Sequence, residues 1–184
     1  MAPVEPEVTV PEVVESTPGS FYVGLGYSYM TGTIADVGTR GADIDVTGHA
    51  LTALAGYNFN KYIAVEGRYS TVLSDVNLDD GTYDEDVNED LSNFAIYLKP
   101  MYPVADNFNV YALLGYGQVS ASFDGEDYSE NGFQWGLGAN YAVTENIGVF
   151  VDYTRLYDDT GFDGELSGVD VTLDSVNVGA TYTF

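Results

Sequence analysis

From Phe21 to Met30 the odd positions are Phe, Val, Leu, Tyr and Tyr, and the even ones Tyr, Gly, Gly, Ser and Met. Strand side chains alternate with period 2, so this stretch has one apolar face and one largely small or polar face. The pattern recurs along the chain. Leu51, Ala53, Ala55, Tyr57 and Phe59 share a face in the second strand, and Ile63, Val65, Gly67 and Tyr69 oppose Ala64, Glu66, Arg68 and Ser70 in the third. Phe94, Ile96, Leu98, Pro100 and Tyr102 then oppose Asn93, Ala95, Tyr97, Lys99 and Met101. Phe133, Trp135, Leu137, Ala139, Tyr141 and Val143 oppose Gln134, Gly136, Gly138 and Asn140, while Val149, Val151 and Tyr153 oppose Phe150, Asp152 and Thr154. The last strand sets Val176, Val178, Ala180, Tyr182 and Phe184 against Asn177, Gly179, Thr181 and Thr183.

One strand, 109–123, reads both ways. Placing Tyr111, Leu113, Val119, Ala121 and Phe123 outward lets Gln118, Ser120 and Ser122 share the polar face, and that assignment is adopted; Val110 and Leu114 favour the opposite one. The strands total eight. Three short turns alternate with four longer gaps, 31–46, 74–90, 124–131 and 158–170. The expected fold is all-β, an eight-stranded antiparallel up-and-down barrel with short turns at one end and loops at the other.

The outward aromatics fall at two heights. Phe21, Tyr57, Phe59, Tyr102, Tyr111, Tyr141, Tyr182 and Phe184 lie next to the short turns or chain ends. Tyr27, Tyr29, Tyr69, Phe94, Phe123, Phe133, Trp135, Tyr153 and Tyr157 lie next to the longer gaps. Between them come mostly Val, Leu, Ile, Ala and Gly. Amphipathic rings are favoured at membrane interfaces, so two bands around an apolar belt point to a barrel that crosses a membrane. A soluble eight-stranded barrel would place its large side chains inside and polar ones outside. A soluble lipocalin-like ligand-binding barrel is the alternative, supported by the inward Tyr22, Tyr97 and Phe150.

Composition agrees with this reading. Twenty-one Gly, 16 Tyr and 9 Phe suit close-packed strands, and no run of apolar residues is long enough for a membrane-spanning helix. A mean hydropathy of −0.05 is expected where only alternate residues face lipid. Residues 1–19, with Glu5, Glu7, Glu12 and Glu15 among Pro, Val and Thr, are expected to form a flexible tail ahead of a barrel over 20–184. No basic and apolar leader follows Met1, which reads as a start placed on a mature sequence.

The stretches Gly56-Tyr57-Asn58-Phe59-Asn60-Lys61-Tyr62-Ile63-Ala64-Val65-Glu66-Gly67-Arg68-Tyr69 and Gly138-Ala139-Asn140-Tyr141-Ala142-Val143-Thr144-Glu145-Asn146-Ile147, with the ending Gly179 to Phe184, resemble the small bacterial outer-membrane β-barrel proteins related to the OmpA barrel domain, OmpX and the opacity proteins. The resemblance covers about 20–184 and specifies the fold far better than the activity. It implies residence in the outer membrane among its lipids, loops outside and both termini periplasmic. It also implies that Tyr182 and Phe184 form the signature read by the barrel-assembly machinery. No cell-wall-binding domain follows the barrel, so that role is not carried over.

The net charge of −24 is unevenly spread: twenty of the 29 acidic residues lie in the four gaps, where Arg40 is the sole basic residue. Nucleic acid and other polyanions are excluded as partners; divalent cations or a basic surface suit the loops. Asp75, Asn77, Asp79 and Asp86 approach the spacing of a calcium loop, with Asp80 where Gly is needed and Asp where a bidentate Glu is usual, so the segment reads as a solvated acidic loop, with weak calcium binding the alternative and no cofactor expected. The inward charges Glu66, Arg68, Lys99 and Asp152 share a depth and cancel, which favours a polar plug; a narrow cation-selective channel is the alternative. No catalytic constellation is marked. The single His49 lies beside a loop, with no Ser or carboxylate in evident register, so no enzyme is expected.

Overall fold

In the computed structural model, residues 19–37, 42–73, 76–79, 84–87, 90–123, 126–160 and 170–184 are described; for 34–37, 42–46, 76–79, 84–87, 90, 122–123, 126–128, 160 and 170 this covers the backbone alone. Among the described residues ten strands form: β1 (Ser20–Val37), β2 (Ala42–Asn60), β3 (Ile63–Val72), β4 (Val76–Asp79), β5 (Asp84–Val87), β6 (Asp90–Ala105), β7 (Phe108–Phe123), β8 (Glu126–Ala142), β9 (Ile147–Thr160) and β10 (Asp170–Thr183). Eight of them pair antiparallel in a ring, closed because β1 pairs with both β2 and β10. The remaining two, β4 and β5, are a small hairpin. It lies against β2 above the point where β3 ends: Ala50 faces Val72 of β3, and Thr47 faces Asn77 of β4.

The gaps between the longer strand pairs are shorter than the polarity pattern suggests. β1 and β2 stay paired out to Val37 opposite Ala42, and β7 and β8 out to Phe123 opposite Glu126. Most of 31–46 and 126–131 is therefore strand. At about 3.3 Å per residue, an 18-residue strand is far longer than needed to cross a belt about 25 Å tall, even when tilted by about 40°. The hairpins of this end continue well past the apolar belt. Polarity on both faces there marks water around a strand, which the pattern alone does not distinguish from a loop.

The two barrel faces separate cleanly in most strands. Leu25, Ile96, Leu137, Val151 and Val178 are exposed on the outside, whereas Ser28, Thr52, Glu66, Gln134 and Asp152 are buried inside. This distribution is the inverse of a water-soluble barrel, and it overturns the lipocalin-like alternative. Tyr22, Tyr97 and Phe150, its support, are buried in the lumen among packed side chains. Space for these rings comes from glycines opposite them on the neighbouring strand, Gly179 opposite Phe150 and Gly115 opposite Tyr97. A Cβ on Gly179 would stand 2.7 Å from Phe150 Cε1, and one on Gly115 would stand 2.6 Å from Tyr97 Cδ1.

Two aromatic rings expected outside are inside. On β7, Tyr111, Leu113, Val119 and Ala121 are all buried, and Val110, Leu114 and Tyr116 are the exposed set. The inward side also carries Gly115 and Gly117, which clear Tyr97 and Gln134, so that face is fixed by what it must pack against. Gln118, outward, lies near the loop end, where water is available. The Phe123 side chain is outside the described residues. On β9, Asp174 pairs with Arg155 but Leu173 pairs with Tyr157, so Leu156 is an extra residue on that strand. This bulge shifts the alternation, and both Leu156 and Tyr157 face inward and are buried.

Candidate functional site

The lumen is filled in layers. Nearest the short turns is a polar cavity. Above it Glu66 and Arg68 of β3, Lys99 of β6 and Asp152 of β9 meet, brought to one height by the registers of β3 with β6 and β8 with β9. Arg68 is central. Its Nε donates to Glu66 Oε1 at 2.6 Å, while Nη1 and Nη2 donate to Asp152 Oδ1 and Oδ2 at 3.0 and 2.7 Å, a bidentate pair. Lys99 Nζ donates to Glu66 Oε2 at 2.7 Å.

Neutral groups complete the shell. Tyr22 Oη donates to Glu66 Oε2 at 2.5 Å; Tyr111 Oη and Asn177 Nδ2 donate to Asp152 at 2.7 and 2.8 Å. The Arg68 guanidinium also lies 5.7 Å from the Phe150 ring centre, and Lys99 Nζ 4.2 Å from that of Tyr111. Two cations and two carboxylates cancel, and no buried side-chain nitrogen or oxygen among the described residues lacks a partner. A buried charge cluster is tolerated on that condition. Tyr22, Tyr111 and Asn177 are members that the charge pattern does not mark. Polarity puts Tyr111 on the other face, and the trace of its role in the sequence is the glycine spacing of its own strand.

A hydroxyl and amide layer follows. Ser28, Thr52 and Ser70 form a chain with oxygen separations of 2.6 and 2.7 Å, and Tyr97 Oη and Asn93 are joined through Gln134. Above this the lumen is apolar: Met30, Ala50, Val119, Leu156 and Tyr157 form a buried cluster, with Val72, Leu91, Val171 and Leu173 packed against it. The sequence pattern gave no sign of this cap. Polarity places Val119 outside, and the β9 bulge brings in Leu156 and Tyr157.

On the outer surface the two aromatic bands take shape. Tyr57, Phe59, Tyr102, Tyr141, Tyr182 and Phe184 lie at the short-turn end, where Tyr57 packs on Phe59 and Tyr182 on Phe184 at centroid separations of 5.1 and 5.2 Å. The Phe184 backbone N donates to Phe21 O, which holds this residue in the β1 ladder. At the other end stand Tyr27, Tyr69, Trp135 and Tyr153, joined by Tyr116. His49 belongs to this band. Its Nδ1 lies 2.6 Å from Tyr27 Oη, and its ring packs against Tyr27 and Tyr29.

The calcium-like segment is different from a metal-binding loop in its backbone. Asn77 and Asp79 lie on β4 and Asp86 on β5, with Asn77 opposite Asp86 and Asp79 opposite Asp84 in an antiparallel ladder. Asp75 and the side chains of the other three lie outside the described residues. Among the described residues no group of three or more His, Asp or Glu is placed to hold a metal ion.

The closed ring, inverted faces and filled lumen agree with a family comparison: the model of the outer membrane protein beta-barrel domain matches residues 8–184. The chain belongs to this family. It is therefore a β-barrel protein of the bacterial outer membrane. The virulence membrane protein PagC of Salmonella typhimurium is 34% identical over 103 residues, 49% of this chain and 50% of PagC. The chain thus aligns with about half the length of that relative. Among solved structures, Neisserial surface protein A matches with a TM-score of 0.61 at 17% identity, over 91% of this chain and all of that one. Ail, the attachment invasion locus protein of Yersinia pestis, solved with the heparin analogue sucrose octasulfate, matches with a TM-score of 0.57 at 17% identity and the same coverage. At these identities the two structures show a shared barrel fold.

Proposed function

We propose that this outer-membrane barrel is a non-enzymatic surface-interaction protein that works through its acidic loop end, with the loops extracellular, both termini periplasmic and the lumen closed. The observation that carries the reading is the double closure of the lumen, by the charge network and by the apolar cap. A narrow cation channel needs a continuous wet path, and an apolar constriction such as Met30, Val119 and Leu156 gates against water and ions. The orientation is supported by the contrast between the tight turns of one end and the long hairpins of the other. Tyr182 and Phe184, in the short-turn band, fit the role of assembly signature.

The similarity to PagC and Ail favours a role at the cell surface, but the partner differs in chemistry from a heparin analogue. A chain of net charge −24 with one basic residue in its loop segments repels a polysulfate. Basic protein surfaces and divalent cations are the matching classes, the cations held weakly and diffusely. The test is binding of the barrel in lipid nanodiscs to polylysine-coated and heparin-coated sensors. Polylysine binding is expected to weaken with salt, since exposed charges are screened over about 8 Å at physiological ionic strength, and to fall in Asp84→Asn/Glu85→Gln/Asp86→Asn. Heparin binding equal to polylysine binding would overturn the reading. Calorimetry with calcium checks the cation part: one tight site that survives high salt and is lost in Asp75→Ala would replace diffuse binding with a specific site.

A further inference from the structure

Below the network the described residues enclose a cavity of about 640 Å³ at the short-turn end. It is a blind pocket, because Lys99 and Tyr22 stand at its inner end and both are held by Glu66. Its walls carry Asn109, Asn140 and Thr181. None of these three side chains makes a hydrogen bond to the protein among the described residues, although neighbouring Asn58 Nδ2 donates to Ser20 Oγ at 3.2 Å. Gly148 keeps the wall open between two of them, since a Cβ there would stand 2.9 Å from both Asn140 Oδ1 and Thr181 Oγ1.

The charge of this space differs from that of the rest of the chain. Two of the five basic residues, Lys61 and Lys99, line it together with Asp106, and Lys99 is paired at the inner end with Glu66. Lys99 has three N–H donors and uses one on Glu66, whose carboxylate is also served by Arg68 and Tyr22. A solute entering from the mouth meets amides and a hydroxyl that both donate and accept, and at the inner end the Lys99 ammonium, which donates to Glu66 and lies 4.2 Å from the Tyr111 ring centre. A volume within the usual range of small-molecule sites, with a few converging polar groups, is the ordinary form of a ligand pocket.

We propose that this cavity is a binding site for a small hydroxylated carboxylate of sugar-acid size. Its carboxylate pairs with Lys99 Nζ, and its hydroxyls bond to Asn109, Asn140 and Thr181. The blind inner end means that the solute is held and released by the same mouth and is not passed through the barrel. This site is separate from the loop end and stands or falls independently of the surface role.

The test uses the full chain in detergent micelles, with D-gluconate as the probe and uncharged sorbitol as the control. Side-chain amide signals of Asn109 and Asn140 are followed by NMR. Gluconate is expected to shift them saturably, with sorbitol weaker by about tenfold, because a hydrogen bond to a charged group contributes more than a neutral one. Thr181→Val and Asn140→Leu lie outside the charge network; each is expected to weaken gluconate by about threefold to tenfold with the thermal transition unchanged. Lys99→Gln is expected to remove the preference for gluconate over sorbitol. Equal affinities for the two probes in the unmodified chain, or gluconate affinity unchanged in Asn140→Leu, would overturn the proposal whether or not Lys99→Gln folds.

Discussion

Arg68 is the residue whose removal the lumen should tolerate least, and its two partners are not left equally exposed. Without the guanidinium, Glu66 still accepts from Lys99 and Tyr22, so it keeps a cation. Asp152 keeps only the neutral donors Tyr111, Asn177 and Thr154, and its carboxylate becomes an uncompensated buried charge. Removing one partner of a buried ion pair costs about 3–5 kcal/mol, and Arg68→Met should cost an amount in that range. The asymmetry predicts which second change repairs it. Arg68→Met/Asp152→Asn removes the stranded charge and leaves the Glu66–Lys99 pair intact, recovering about 1–3 kcal/mol as coupling between contacting sites. Arg68→Met/Glu66→Gln restores the same net charge yet strands both Asp152 and Lys99, and should recover nothing. The assay is urea-dependent folding into lipid vesicles, read by fluorescence of Trp135, the single tryptophan, which faces outward. Equal rescue by the two double variants would show that net charge alone matters, and would refute the argument from individual partners.

Three further outcomes follow from the layers and faces. Leu137→Arg or Val178→Arg, on the exposed apolar belt, should cost about 2–4 kcal/mol of stability in lipid, and variants that fold as well as the parent would contradict a lipid-facing assignment. In planar bilayers the parent should pass almost no current, and Glu66→Ala/Arg68→Ala should remain closed because the apolar cap lies above it. Current should rise only when Leu156→Ser is added, and steady openings in the parent would end the closed-lumen reading. Gly138→Ala would place a Cβ 2.5 Å from Asp152 Cβ and 2.6 Å from Tyr111 Cζ and should cost about 1–3 kcal/mol by overpacking, only partly relieved in Gly138→Ala/Tyr111→Leu because the Asp152 contact stays. A Gly138→Ala variant as stable as the parent would contradict the inward packing of Tyr111 and Asp152 against this position.

Alternation fixed most of the fold because a membrane barrel makes it unambiguous. Lipid on one side and a packed polar lumen on the other give each strand two opposite demands, and residues such as Leu137 and Gln134 satisfy them in turn. The four lumen charges were legible for the same reason. A charge cannot face the lipid belt, so Glu66, Arg68, Lys99 and Asp152 have only one side available, and similar distances from the short turns set them at similar depth. Their hydrogen-bond assignments were not legible, since which oxygen of Asp152 takes which guanidinium nitrogen depends on the registers of strands far apart in sequence.

What the pattern concealed lies where the demands on the two faces stop being opposite. Above the aromatic band water surrounds the strands, so Gln118 can face out and Val119 can face in, and polarity ceases to mark the side. The same freedom lets β9 carry an extra residue at Leu156, because a strand past the belt has no lipid face to keep in phase. Both effects act on the cap. Val119 reads as outward on polarity alone, and Tyr157 reads as outward on unbroken alternation, so the cluster that seals the loop end is dispersed in the sequence and the lumen looks polar throughout. A channel is then a natural reading of a polar lumen beneath acidic loops. Placing Val119, Leu156 and Tyr157 on the inside sets apolar side chains across the wet path that reading requires.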